Sequence, residues 1–511
     1  MASSVMIYDT TLRDGSQGEG VSFTVADKLE IVRRLDELRV DYIEGGWPGS
    51  NDKDLEFFYQ LKGVRLSHSK VVAFTSTRKK YARIEEDQHM KDVLGTGLSH
   101  CAVFGKTWDF QVRQALRTEL SENLKMITDT IVFLKEKGIE AIFDAEHFFD
   151  GYKDNPAYAL AALAAARDAG ADWLVLCDTN GGAMPHEIAD IVQEVVAAGF
   201  SQIGIHAHND GGLAVANSLA AVRAGATQVQ GTINGIGERC GNADLCAVLP
   251  NLVLKARVDT HFGERGVRSL KSLSERLYGM TGKTPVAQQP FVGRSAFAHK
   301  AGVHVSAIRR DPRLYEHIAP ELLGNERRIL LSELSGVSNV LFQLERMGLT
   351  ADEATVARIL ARLKTGERDG QVYEEAPTSL WLLIREELGL CAVSVLRVDE
   401  WVQQTPNGFA VRLYWRQDGE GCEAQGTGLT VGTAMCEALA LSGNFTLSVE
   451  EVSPVQVDTH VTTHRARVRG AYQGQQLATA GLGETPAAAM ACAVLQIYQY
   501  MRITSTVAAL S

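Results

Sequence analysis

The sequence lacks several features that would assign a protein to a class at once. None of its eight cysteines forms a CxxC pair, and scattered free thiols suit a reducing cytoplasm better than a disulfide-rich secreted domain. No apolar run is long enough to span a bilayer. The first eight residues carry no basic region and no apolar core, so we expect no signal peptide. These absences predict a cytoplasmic protein with no membrane partner.

An excess of positive charge is also missing. The chain has 51 Lys and Arg against 62 Asp and Glu, which gives a formal charge of -11. Because a nucleic-acid surface needs a basic stripe, we expect no nucleic-acid partner. What remains, 45% hydrophobic and 22% charged residues, is typical of a soluble globular enzyme. A length of 511 residues predicts two or three domains.

Short apolar segments alternate with amphipathic helical patterns through the first half of the chain, for example Thr24–Leu38 and Pro156–Ala169. This alternation predicts an α/β fold with a parallel sheet, and eight units over about 250 residues match a (β/α)8 TIM barrel. A doubly wound sheet is the alternative, but it often carries a Gly-rich phosphate turn after its first strand. No such turn is present here. The predicted strands are Val5–Tyr8, Asp41–Glu44, Lys70–Phe74, His100–Phe104, Glu140–Phe143, Trp173–Cys177, Gln202–His206 and Thr227–Gly231.

Polar side chains gather at the carboxyl ends of six of these strands. In a barrel of this type the carboxyl ends form the catalytic face, so we expect the polar side chains to share one site. The candidates are Arg13 and Asp14 after strand one, Glu44 at strand two, Glu146 after strand five, Thr179 after strand six, His206 and His208 on strand seven, and Asn242 after strand eight.

His206 and His208 indicate a metal. Side chains alternate along a strand, so both imidazoles point to one side and can bind one divalent ion; a hydrogen-bonded pair in a polar loop is the alternative. Asp14 supplies a third ligand and Asn242, unless it only caps its loop, a neutral oxygen. Such a site keeps positions open for water or substrate. Mixed nitrogen and oxygen ligands admit Zn2+, Mn2+, Co2+ or Mg2+ and do not select among them.

The neighbouring residues suit carbonyl chemistry. Arg13 is a cation beside the metal carboxylate, placed to stabilise an enolate or oxyanion, although an ion pair with Asp9 or Glu44 is an equally available role. Glu146 is a candidate acid, base or polar anchor, and Thr179 can donate a hydrogen bond to a bound carboxylate. A metal, a cation and a carboxylate base together can polarise a ketone and stabilise the alkoxide that forms.

The pattern changes beyond residue 275. Residues 276–370 look helical and connective, and residues 371–511 contain an internal repeat in which Gly426–Met435 matches Gly481–Met490 at a spacing of 55. Strand-like sequence at Ala410–Trp415 and Thr459–Tyr472 precedes the two glycine segments. We therefore predict three parts, namely a barrel at 1–275, helical connecting subdomains at 276–370, and a C-terminal α+β domain of duplicated ββα units at 371–511. The last part has few catalytic groups, which favours effector binding or dimerisation.

Several motifs together resemble those of the DRE-type TIM-barrel metallolyases, which include 2-isopropylmalate, homocitrate and citramalate synthases and hydroxymethylglutaryl-CoA lyase. They are Asp9–Gly15, His206–Asp210 and Asn234–Asn242. Phe297–His304 resembles the connecting-domain motif of the synthases, and the duplicated module resembles their allosteric dimer domain, which the lyases lack. Ile43–Asn51 and Ile142–Gly151 are most similar to the citramalate synthase branch, which leaves 2-isopropylmalate synthase as the alternative.

The resemblance implies a Claisen-type condensation of acetyl-CoA with a 2-oxo acid, followed by thioester hydrolysis. The acceptor is pyruvate in the citramalate branch, where the product is (R)-citramalate, and 2-oxoisovalerate in the alternative. The resemblance also implies a homodimer in which the C-terminal domain binds an amino-acid effector, isoleucine in the citramalate branch. The implied roles are metal binding for Asp14, His206, His208 and Asn242, substrate binding for Arg13, Glu44 and Thr179, and catalysis for Arg13, Glu146 and His304, the last from the partner subunit. A catalytically inactive amino-acid sensor and a metal-dependent aldolase or lyase are further hypotheses.

Overall fold

The computed structural model describes residues 4–441, 443–457 and 462–510. They divide into two compact units. The first runs to Phe297 and also includes Ile318–Glu326, and the second contains Ala298–His317 and the chain from Arg327 onward.

The first unit contains a closed barrel of eight parallel strands. Each strand pairs with the next along the chain, and β8 pairs with β1, which confirms the predicted (β/α)8 architecture. The strands are β1 Met6–Asp9, β2 Tyr42–Gly46, β3 Lys70–Ser76, β4 His100–Lys106, β5 Glu140–Glu146, β6 Trp173–Asp178, β7 Ile203–Ala207 and β8 Gln228–Gly231. Several strands extend further at the carboxyl end than their apolar segments predict, so Glu146 is the last residue of β5 and does not follow it.

Helices surround the barrel. Thr24 begins the first of them as its N-cap: its hydroxyl accepts from the Asp27 N–H, and the Asp27 carboxylate accepts from the Thr24 N–H. The helices of this unit are α1 Val25–Glu37, α2 Asp52–Leu61, α3 Gln88–Thr96, α4 Asp109–Gln111, α5 Leu120–Glu136, α6 Phe148–Asp154, α7 Pro156–Asp168, α8 Pro185–Ala197, α9 Ala214–Ala224, α10 Leu245–Pro250 and α11 Gly263–Thr281.

Strand alternation produces two apolar layers. On β6, Leu174 and Leu176 pack outward against the helices, whereas Val175 and Cys177 belong to a cluster inside the barrel. Tyr8 from β1 fills the same interior. The barrel is therefore a packed core and not a pore, and its polar site is confined to the carboxyl end.

The second unit begins with short strands and helices and ends in two sheets. A hydrophobic cluster joins α13, α14 and α15. Two three-stranded antiparallel sheets follow, of order β11-β12-β13 and β14-β15-β16. The elements are β9 Ala298–His299, α12 Gly302–Arg310, β10 Arg328–Ile329, α13 Val337–Arg346, α14 Glu353–Arg368, α15 Pro377–Glu387, β11 Val395–Thr405, β12 Gly408–Gln417, β13 Glu420–Gly428, α16 Val431–Ala438, β14 Phe445–Gln456, β15 Thr462–Tyr472, β16 Gln475–Gly483 and α17 Pro486–Leu510.

Each copy of the repeat therefore has three strands and a helix, one strand more than the sequence predicts. Most side chains of β11 and β14 are exposed, so neither strand has the apolar alternation that would have revealed it. The paired glycines of the two segments lie at the ends of β13 and β16. Residues 459–461 of the predicted strand 459–472 lie outside the described residues.

The glycines of the repeat have a shared packing reason. A Cβ on Gly426 would lie 2.4 Å from the Ala434 carbonyl oxygen, and a Cβ on Gly481 would lie 2.4 Å from that of Ala489. Each helix thus crosses its own sheet at a distance that only glycine allows.

Among the described helices of the chain, we find none whose length and apolar character would carry it across a bilayer.

Candidate active site

The carboxyl ends of the barrel strands surround a cavity of about 220 Å3. Six of the predicted site residues line it directly, and two more, Glu44 and Asn242, contact residues that line it. The six are Arg13, Asp14, Glu146, Thr179, His206 and His208.

Asp14, His206 and His208 converge on one point. The Asp14 Oδ2 atom lies 3.4 Å from His206 Nε2 and 3.9 Å from His208 Nε2, and all three side chains are buried. Ligand atoms about 2.0–2.2 Å from a shared ion sit at such separations. The three side chains therefore form a possible metal-binding triad.

Gln230 contacts the ring nitrogen of His206 that faces away from Asp14. His206 Nδ1 lies 2.8 Å from Gln230 Oε1, while Gln230 Nε2 donates to Asp144 at 3.3 Å. Since an amide oxygen only accepts, His206 Nδ1 is the donor, and in the neutral ring Nε2 carries the lone pair. Nε2 faces the Asp14 carboxylate, where a neutral ring can ligate a metal ion and a protonated ring can donate to Asp14. Partners of this kind orient a metal ligand from behind.

His208 is held by a loop. The sequence analysis placed it on the seventh strand, but β7 ends at Ala207 and His208 is the next residue. His208 forms an isolated bridge with Asn242 and donates its N–H to the Asp178 carbonyl at 3.2 Å. Asn242 Nδ2 donates to Asp14 Oδ1 at 3.1 Å. Two buried atoms here, His208 Nδ1 and Asn242 Oδ1, have no hydrogen-bond partner among the described residues. An uncommitted amide oxygen beside the triad fits the donor set of a divalent cation.

The electrostatics of the triad also suit a cation. Burial acts to raise the pKa of Asp14, but Arg13 and the two imidazoles outweigh it and hold that pKa well below its ordinary value. Burial, with the charge of His206, lowers the pKa of His208 to about 4, so its ring is neutral and able to ligate at neutral pH. For His206 burial acts to lower the pKa, and the Asp14 carboxylate more than reverses this.

Arg13 bridges two carboxylates. Its Nε donates to Glu44 at 2.6 Å and its Nη1 to Asp14 at 3.0 Å, and its guanidinium lies 3.8 Å from the centre of the Phe74 ring. Glu44 also accepts from the Tyr8 hydroxyl. Burial, followed by the charge of Glu44, raises the pKa of the nearby Asp144 to about 7. The sequence analysis allowed Asp9 or Glu44 as the ion-pair partner of Arg13, and the structure shows Glu44. Glu44 therefore contacts Arg13, which lines the cavity, and does not line the cavity itself.

Glu146 and Thr179 lie on the adjacent side. Glu146 is ion-paired with Lys106, whose Nζ lies 2.5 Å from its Oε2. Thr179 Oγ1 accepts from the His147 N–H at 2.8 Å, which fixes the hydroxyl and directs its proton elsewhere. The ion pair thus holds the Glu146 carboxylate beside a cation, and the hydrogen bond leaves the Thr179 hydroxyl proton available for donation.

His304 lies in the second unit. It is exposed on α12, and its ring stacks on Tyr315 with centroids 4.2 Å apart. Its part in catalysis stays a prediction.

Three aromatic rings form one wall of the cavity. Trp47, Phe74 and Phe104 all line it, with ring centroids 5.3–5.7 Å apart. The rings meet in offset or edge contacts, which stabilise such clusters. They limit the size of any group that projects toward this wall.

Sequence reasoning missed Gln230, Asp144 and Lys106. Gln228 and Gln230 alternate on β8, and polar residues at alternate positions of a barrel strand were a signal that this strand faces a polar interior. Asp144 stood within a motif already noted, and Lys106 follows the predicted fourth strand by two residues. Their mutual contacts depend on barrel closure and had no signature in the sequence.

Comparison with known proteins assigns the family. A family model described as HMGL-like matches residues 4–273, and one described as homocitrate synthase post-HMGL domain-like matches residues 291–371. The chain belongs to the HMGL-like family. This family depends on divalent metals, in agreement with the triad.

Relatives within this HMGL-like family include (R)-citramalate synthases. That of Synechocystis sp. is 52% identical over 76% of this chain and 72% of its own length, and that of Sulfolobus acidocaldarius is 44% identical over 83% and 81%. The 2-isopropylmalate synthase of the same Sulfolobus is 35% identical over 71% and 91%. The solved hydroxymethylglutaryl-CoA lyase from Pseudomonas aeruginosa has a TM-score of 0.47 and 20% identity, over 56% of this chain and 95% of that one.

Proposed function

We propose that this HMGL-like chain is an (R)-citramalate synthase. It condenses acetyl-CoA with pyruvate and water to give (R)-citramalate and coenzyme A, the first step of a pyruvate route to isoleucine. The observation that carries the proposal is the identity of 41–52% to five (R)-citramalate synthases, against 34–35% to the 2-isopropylmalate synthases compared with it.

Asp14, His206 and His208 would hold the divalent ion, with the Asn242 amide oxygen beside them. When bound, the ion polarises the keto group of the 2-oxo acid. Thr179 donates to the acid's carboxylate, and Arg13, held by Glu44, stabilises negative charge on the keto oxygen. We propose that the ion is Mn2+, Mg2+, Zn2+ or Co2+, without selecting among the four.

Glu146 is the proposed base within the cavity. It removes a proton from the acetyl methyl group, whose carbon then attacks the keto carbon of pyruvate, and the new alkoxide takes up a proton. Water next attacks the thioester carbonyl and coenzyme A leaves as the thiol. His304 of the partner subunit is proposed to assist one of these two steps. Lys106 keeps Glu146 oriented, which a base acting on a thioester α-carbon requires.

The aromatic wall supports pyruvate as the acceptor. Pyruvate carries a methyl group where 2-oxoisovalerate carries an isopropyl group. Trp47, Phe74 and Phe104 line one side of the cavity, and a methyl group can lie against such a packed aromatic surface with less displacement of its rings than an isopropyl group.

The direct test is thiol release from acetyl-CoA with pyruvate or 2-oxoisovalerate at equal concentration and with added Mn2+. A strong preference for pyruvate supports citramalate synthase. A preference for 2-oxoisovalerate would make the chain a 2-isopropylmalate synthase, and no release with any 2-oxo acid would point to an inactive sensor or a lyase.

Phe104→Ala should relax the preference for pyruvate. Removing the ring opens space beside Trp47, and a pocket that accepts or rejects one methylene typically discriminates by about 10–200-fold. We expect the ratio of kcat/KM for pyruvate to that for 2-oxoisovalerate to fall by about 10-fold or more. Phe110→Ala is the matched control, since Phe110 is exposed. An unchanged ratio in Phe104→Ala would remove this wall from substrate selection.

We also propose that the C-terminal part binds isoleucine and forms a homodimer. The outer strands β11 and β14 expose large apolar side chains, a feature that marks protein interfaces. Among them are Leu396, Val398, Trp401, Val449 and Val452. The division into residues 1–275, 276–370 and 371–511, and the cytoplasmic location, are proposals of the same kind, the latter supported by eight free cysteines.

Truncation after residue 390 should abolish inhibition by isoleucine. This cut retains Tyr373, Leu383 and Ile384, which complete the hydrophobic cluster of α13 and α14, and a cut at 370 would expose that cluster. Since allosteric coupling is typically worth 5–150-fold, we expect isoleucine to weaken turnover of the full chain by about 5-fold or more, with leucine as the control ligand. Activity falls as well if the dimer is lost. Inhibition that persists in the truncated protein would place the effector site elsewhere.

A further inference from the structure

A second cluster of metal-ligating side chains lies at the opposite end of the barrel. Asp41 Oδ1 is 3.0 Å from His68 Nε2 and 2.7 Å from His261 Nδ1, and the three ligand atoms all lie within 4.8 Å of one another. The two imidazole centroids are 5.0 Å apart. We propose that Asp41, His68 and His261 form a second divalent-cation site, of the zinc type.

The three residues come from separate segments of the first unit. Asp41 directly precedes β2, His68 lies two residues before β3, and His261 lies two residues before α11. All of them are at the amino ends of the barrel strands. Because the cavity lies at the carboxyl ends, the cluster is separate from the metal-binding triad of Asp14, His206 and His208. The proposal therefore does not depend on the proposed function.

The chemistry of the donor set matches zinc. Two imidazole nitrogens and one carboxylate oxygen are common protein ligands of Zn2+, with water in the fourth position. The His261 side chain is 39% exposed, whereas that of Asp41 is 6% exposed. A solvent path therefore reaches a buried carboxylate, and both an ion and a water ligand can enter along it.

Neighbouring groups orient these ligands from behind. The second carboxylate oxygen of Asp41 accepts from the Ile7 N–H at 2.8 Å, and the main-chain N–H of His68 donates to the Asp36 carboxylate at 2.8 Å. The first contact orients the Asp41 carboxylate as partners of metal ligands do, and the second anchors the segment that carries the His68 ring. Asp41 thus presents Oδ1 alone to the two imidazoles.

A hydrogen-bonded cluster without metal is the competing interpretation. In that case both rings donate a proton to the same oxygen. Ligand atoms around a tetrahedral ion at about 2.0–2.2 Å are separated by about 3.3 Å, so metal binding would widen the spacing of Asp41 Oδ1 by about 0.3 Å to His68 and by about 0.6 Å to His261. A bound ion would tie β1, through Ile7, to the segment that precedes α11 and follows the last strand, and so clamp the closure of the barrel.

The test is the metal content of the intact protein. After chelation and dialysis against Zn2+, mass spectrometry of the metal should find two equivalents per chain, and His68→Ala and His261→Ala should each retain one. His186→Ala is the matched control, because His186 is exposed and belongs to neither described cluster, and it should retain both. Thiol release measured with saturating Mn2+ should be unchanged in the His68 and His261 variants.

A second measurement tests the site when the catalytic ion is absent, and it also shows whether the variants fold. In His206→Ala, Zn2+ should still raise the unfolding temperature by a few degrees, because a ligand that binds only the folded state stabilises it, and the further substitution His261→Ala should remove this rise. Two equivalents in the His261 and His68 variants, or no rise in His206→Ala, would overturn the proposal. If the catalytic triad bound no metal, wild type would hold one equivalent that His261→Ala removes, which separates failure of the proposed function from failure of this site.

Discussion

Replacing His206 with alanine should abolish thiol release from acetyl-CoA and remove the catalytic metal while leaving the barrel folded. His206 Nε2 faces Asp14, and Nδ1 donates to Gln230 on the other side of the ring. Loss of an outer partner of a ligand alone costs about 10–100-fold, so loss of the ligand itself should cost more than about 100-fold. His208→Ala should behave alike.

The measurements are turnover with pyruvate, metal content, and circular dichroism during thermal unfolding. His186→Ala controls for the loss of any imidazole, since this residue is exposed on α8. The metal assignment is wrong if the His206 variant turns over at the wild-type rate with no metal bound. A variant that fails to fold is recognised from its circular dichroism, and His208→Ala then carries the test.

Arg13→Lys should lower kcat by about 100-fold or more with the metal retained. Removing one preorganised donor to a developing oxyanion typically costs 10²–10³-fold. Arg13 meets Glu44 through Nε and Asp14 through Nη1, and its flat guanidinium rests on Phe74. A lysine ammonium keeps the charge, but it cannot reproduce this fork or the stacking.

Kinetics and metal analysis together test this second prediction. We expect kcat to fall more than KM for pyruvate rises, because the interaction strengthens as charge develops. Arg167→Lys, an exchange of an exposed arginine paired with Asp168, should leave both constants unchanged. A wild-type kcat in Arg13→Lys would assign Arg13 a purely structural role, and loss of the metal in this variant would show that it acts through Asp14.

Much of the barrel could be predicted because its strands are short, apolar and evenly spaced. The ends of β5 and β7 could not, since hydrogen bonding continues past the apolar segment into polar residues such as Glu146. The outer strands β11 and β14 of the repeat were missed for a related reason, as most of their side chains are exposed. Apolar periodicity reports burial, so an unburied strand leaves no such pattern.

The sequence by itself determined the strand order, the placement of His206 and His208 on one side of the chain, and the family, because these depend on local alternation and on contiguous motifs. Only the tertiary structure decided which residues contact and orient the site side chains. Gln230 and Asp144 make His206 Nδ1 a donor, Lys106 contacts Glu146, and Asp41 contacts two histidines at the other end of the barrel. Those contacts join residues that are distant in the chain, and they exist only once the strands close into a barrel.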